Sequence, residues 1–170
     1  MRYTVYVLIL MYLAQPLMAG DEMLYGRLEC QKWYPEVDSE TVCKKVQSGN
    51  VFRFEVKKNG KESWHPILMA TRQTFVAGRV YTFSIRAKSD VRREIGIGIR
   101  RDEGNYGTLG FYAVVPLTTQ WQTFSYAFTP KESCGNARFD IGGLKPGIYE
   151  FTASTLKALP SSELPVTRQD

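Results

Sequence analysis

Apolar residues recur at every second position through most of this sequence, and that period constrains what the chain can become. Val51–Lys58 sets Phe52, Phe54 and Val56 against Arg53, Glu55 and Lys57, then stops at the turn pair Asn59-Gly60. Residues 79–89 set Tyr81, Phe83, Ile85 and Ala87 against Thr82, Ser84, Arg86 and Lys88, and residues 121–129 set Phe124, Tyr126 and Phe128 against Thr123, Ser125 and Ala127. Side chains along a strand point alternately to its two faces, so each stretch reads as a strand with one dry and one wet face. Further strands are expected over 106–115, 137–143 and 148–156, with turns at 102–105 and 145–147, a break at Pro116 and a loop over 130–136. No helix is expected. Short strands between turn residues predict an all-β fold, a two-sheet antiparallel β-sandwich or jelly roll of about eight strands.

One strand in the series is unusual. In EIGIGIR, residues 94–100, Ile95, Ile97 and Ile99 take one face while Glu94, Gly96, Gly98 and Arg100 take the other. Glycine inside a strand gives up packing and marks a bulge or a close approach. Two readings stand open. Gly96 and Gly98 leave the floor of a groove bare for a ligand, flanked by Tyr106, Tyr112 and Asp140, or they relieve crowding between packed sheets. The first suits a sugar, whose C–H faces stack on aromatic rings while its hydroxyls pair with polar side chains.

The N-terminal 1–19 reads as a secretory signal peptide: Arg2, an apolar run over 3–13 and small residues around Met18-Ala19-Gly20. The run is shorter than the roughly 20 residues of a membrane span, so export, to the extracellular space or periplasm, without a membrane anchor after cleavage is expected. Residues 20–158 then form one domain, and 159–170 a polar tail. The formal charge is +5, but the basic residues Arg53, Arg72, Arg79, Arg86 and Arg100 are scattered, which gives nucleic acid little support. Of three cysteines, Cys30 and Cys43 are expected to pair, closing a short loop, with Cys134 left free.

The inventory for catalysis is thin. The single histidine, His65, leaves a triad without partners, and no spacing suggests a metal site. A glycosidase needs two carboxylates across a cleft, for which Asp102, Glu103, Asp140 and Glu150 are the available residues. The pair Gly96-x-Gly98 is no dinucleotide fingerprint, because its third glycine would fall on Arg101.

The ordered segments GRVYTFSIRAKSDVRREIGIGIR, YGTLGFYAVVPLTTQWQTFSYAFTP and ARFDIGG resemble the carbohydrate-binding modules of families four, nine and twenty-two, across roughly residues 51–157. The resemblance implies a jelly roll whose concave face holds one chain of a polysaccharide such as β-glucan or xylan. It places Tyr106, Asp140 and Asp102 against the sugar. The basic contact usual in mid-strand falls on Gly96, with Arg100 and Arg86 as its replacements, and the usual amide falls on Asp140. Thr152 and Ala153 stand where an acidic pair is common, so the residues give no support to a structural calcium, and no cofactor is expected. Trp64 and Trp33 are candidate rim platforms, and Trp121 a structural residue. The expected function is non-catalytic glycan binding, alone or beside a glycoside hydrolase acting in trans. The alternatives are a secreted interaction or structural sandwich that has lost the sugar site and, more weakly, a jelly-roll lyase or hydrolase.

Overall fold

A computed structural model describes residues 34–37 and 40–159. The expected leader, Cys30, Trp33 and the tail from residue 160 lie outside the described residues. Ten strands follow in order: β1 (Tyr34–Glu36), β2 (Val42–Ser48), β3 (Val51–Lys58), β4 (Ile67–Phe75), β5 (Tyr81–Ser89), β6 (Arg93–Arg101), β7 (Thr108–Leu117), β8 (Gln122–Phe128), β9 (Cys134–Gly142) and β10 (Gly147–Ala158). They form two five-stranded sheets, β1-β4-β9-β6-β7 and β2-β3-β10-β5-β8, with every pairing antiparallel. The sandwich is as expected, with ten strands instead of about eight. The described residues include no helix long and apolar enough to cross a membrane.

The alternation places the core. Phe52, Phe54, Phe83, Ile85, Ile95, Ile97 and Ile99 are buried in the cluster between the sheets. Aromatic pairs join the layers: Phe83 of β5 meets Phe139 of β9 with ring centroids 4.2 Å apart, and Phe111 of β7 stacks on Phe128 of β8 at 4.5 Å. Burying a phenylalanine fully is worth about 2–3 kcal/mol, so such pairs dominate the sandwich.

Two local expectations are corrected. Pro116 does not end its strand but lies inside β7, opposite Glu94. Because β7 is a sheet edge, the missing N–H need face no partner. The loop expected over 130–136 is shorter, since β9 starts at Cys134. Cys43 and Cys134 are free thiols among the described residues, and the expected pairing of Cys43 with Cys30 reaches outside them.

Candidate functional site

The inward-facing isoleucines of β6 fix what its other face carries: Glu94, Gly96, Gly98 and Arg100 point away from the core. Strand pairing sets these beside the outward residues of β9 and β7. Gly98 lies between Asp140 and Tyr112, Gly96 between Gly142 and Val114, and Arg100 between Arg138 and Thr108.

The glycine floor is not bare. A Cβ on Gly96 would stand 2.5 Å from Tyr112 Oη and 2.9 Å from its Cε2, and one on Gly98 would stand 3.4 Å from Cδ2. The Tyr112 ring therefore lies along β6 over both glycines, occupying the space that side chains there would fill. Its other face is open, and the residue is 64% exposed. The crowding the glycines relieve is thus on the outer face and not between the packed sheets: what they admit is an aromatic ring from the neighbouring strand of the same sheet.

Beside the platform is a buried charge cluster. Asp140 is 4% exposed, with Met69 and Gly98 as cross-strand neighbours. Arg138 Nε lies 3.0 Å from its Oδ1 and Arg100 Nε 3.2 Å from its Oδ2. These are ion pairs by distance without hydrogen-bond alignment, since both carboxylate oxygens and Arg138 Nε lack an aligned partner among the described residues. Burial pushes the Asp140 carboxyl up to about 6, while Arg138 and then Arg100 hold it down.

Arg138 ties this cluster to the neighbouring turn. Its Nη1 lies 3.5 Å from Asp102 and 3.7 Å from Glu36, and its guanidinium stands 5.2 Å from the centre of the Tyr106 ring. Tyr106 has φ +51°, a left-handed conformation unfavourable for a bulky residue. The turn holds it there: Asn105 Oδ1 accepts from Gly107 N at 3.0 Å, and Tyr106 N donates to Glu103 O at 3.4 Å. The ring is left half-exposed above Arg138.

Trp64 comes from the segment between β3 and β4. Asn59 Nδ2 pins that segment, donating to His65 O at 3.0 Å and to Leu144 O at 2.7 Å. Two adjoining clefts result, and both are lined by Trp64 and Arg100. One, about 520 Å³, runs past Glu36, His65, Tyr106 and Arg138, and the other, about 180 Å³, past Tyr112, Asp140 and the glycines. They share Trp64 and Arg100, which mark the waist of one groove, with Tyr106 lining the first cleft and Tyr112 the second.

Tyr106, Tyr112, Trp64, Arg100, Asp102, Asp140, Gly96 and Gly98 are therefore brought together on one outer face. Arg86 is not. It belongs to β5 in the other sheet, and its guanidinium stands 5.4 Å from the Trp121 ring, with Lys88 Nζ at 5.1 Å. The sequence reading missed Arg138, the hub of the cluster, although it alternates with Asp140 in ARFDIGG and so shares its face. No group of three side chains suited to a metal occurs among the described residues.

The fold is a two-sheet β-sandwich with a groove on one outer face. The family model described as "Carbohydrate binding domain" matches residues 28–144, and the chain belongs to that family. Among solved structures, a module described as CBM4 shares 20% identity with a TM-score of 0.65, covering 75% of this chain and 86% of its own. The N-terminal cellulose-binding domain of Cellulomonas fimi β-1,4-glucanase C shares 12% identity at a TM-score of 0.60, over 75% of this chain and 89% of its own. The CBM22-1 xylan-binding domain of Paenibacillus barcinonensis Xyn10C shares 10% at 0.53, over 81% and 92%. These likenesses show the fold. No curated protein sequence matches the chain.

Proposed function

We propose that this chain is an exported, non-catalytic polysaccharide-binding module that holds one glycan chain along the groove between Tyr106 and Tyr112. The observation that carries the reading is the Tyr112 ring, laid flat on two glycines with its free face toward solvent. A sugar ring stacks on such a face through its C–H bonds, and the polar groups at the waist take its hydroxyls. The named relatives that bind cellulose and xylan make a β-glucan or xylan backbone the first candidate.

The carboxylates support binding over hydrolysis. Asp140 is 4% exposed and faces two arginines, and Asp102 is paired with Arg138, so the two do not stand as a free carboxylate pair across the groove. A glycoside hydrolase acting in trans would supply the chemistry. Calorimetric titration against soluble β-glucan, xylan, mannan and an acidic polysaccharide tests the reading: saturable binding without new reducing ends is expected. Release of reducing ends would replace it with the enzyme, and absence of binding to every glycan would remove it.

A further inference from the structure

Of the two arginines that line the groove, Arg100 is the more open, with its side chain 43% exposed against 12% for Arg138. Arg138 faces Asp140, Asp102 and Glu36 at 3.0, 3.5 and 3.7 Å, so three carboxylates share its charge. Arg100 has one contact, from Nε to Asp140 Oδ2, and that carboxylate is shared with Arg138. No hydrogen bond among the described residues engages its Nη1 or Nη2, and the side chain is 43% exposed. Arg100, like Trp64, lines both clefts, so a chain spanning the groove passes over it.

We propose that the groove selects an acidic glycan, and that the free Nη edge of Arg100 pairs with the carboxylate of a uronic acid unit at the waist. The inference rests on the groove being the glycan site. A guanidinium edge offers two parallel N–H donors at the spacing of the two oxygens of a carboxylate, a match that a neutral hydroxyl does not make. The carboxylates already present do not compete for that edge: Asp140 is engaged at Nε and buried beneath, while Asp102 and Glu36 face Arg138. The formal charge of +5 adds a long-range field that draws an anionic polymer toward the surface.

The test is titration of the full chain with glucuronoxylan, alginate and polygalacturonate, each beside its carboxyl-reduced counterpart, with neutral β-glucan as a further arm. At least one acidic polymer is expected to bind about tenfold tighter than its reduced form, the scale of one charge-assisted bidentate pair. Arg100→Gln should erase that ratio, and Arg100→Lys, which keeps the charge without the fork, should restore part of it. Should Arg100→Gln fail to fold, the unaltered protein still decides, because a carboxylate preference that does not shrink in high salt contradicts a charge-read contact. Binding to neutral or reduced polymers alone, or an acid preference that survives Arg100→Gln, overturns this inference and leaves the binding function standing. Silence toward every polymer overturns both.

Discussion

The phenol of Tyr112 rests on Gly96, so close that a Cβ at residue 96 would meet Tyr112 Oη at 2.5 Å. Any side chain at 96 must lift the ring away from the sheet. Residue 96 has ordinary extended backbone on an outward face, so Gly96→Ala is expected to fold with stability held within about 1 kcal/mol. Its glycan affinity should fall about fivefold, the worth of one stacking contact. Thermal unfolding and titration of the same sample check both halves, and unchanged affinity would mean the flat ring is not the platform.

Asp140 makes stability depend on pH with a definite sign. Its carboxyl rises from 3.8 to about 6, first because it is buried. A carboxyl whose pKa is higher folded than unfolded stabilises the fold below the unfolded value, and that contribution is lost as pH rises from 3.8 through about 6. Relative to Asp140→Asn, the wild type should lose on the order of 3 kcal/mol across this window. Urea unfolding of both proteins at several pH values measures the difference, and a flat difference contradicts the account.

Arg138 carries more of the site than its neighbours do. It is only 12% exposed as a side chain and faces three carboxylates, so Arg138→Gln leaves Asp140 with Arg100 alone. A stability loss of about 2 kcal/mol is expected in urea unfolding, as for a buried charge stripped of one partner. A loss below about 0.5 kcal/mol would assign the cluster to the exposed, weakly coupled kind.

The face of a residue was legible in the sequence, while its sheet was not. Period two placed Arg86 and Arg100 on wet faces, and both are, but β5 and β6 belong to opposite sheets. Arg86 therefore stacks on Trp121 at the far side of the sandwich. Arg86→Ala should leave glycan affinity within about twofold and cost about 0.5–1 kcal/mol of stability. A large loss of affinity in that titration would put ligand on the second sheet.

Strands without alternation were not legible either. β2, VCKKVQS, is an edge strand wet along most of its length, and β1 has three residues, so neither carries a periodic signal. β7 runs through Pro116 because edge position, which the sequence does not announce, removes the cost of the missing donor. The glycines of EIGIGIR line the candidate groove, yet what fills their space is a ring from the next strand. Its direction along β6 follows from packing and is not encoded in any local pattern.

The proposed binding function rests on Tyr112 as the stacking platform of a glycan groove. The most direct measurement is the affinity of the wild type and of Tyr112→Ala for the tightest-binding soluble polysaccharide, with thermal unfolding as the fold control. Tyr112 is largely exposed, so the variant should unfold within a few degrees of the wild type while losing about tenfold or more in affinity. Equal affinity in a folded variant would contradict the claim.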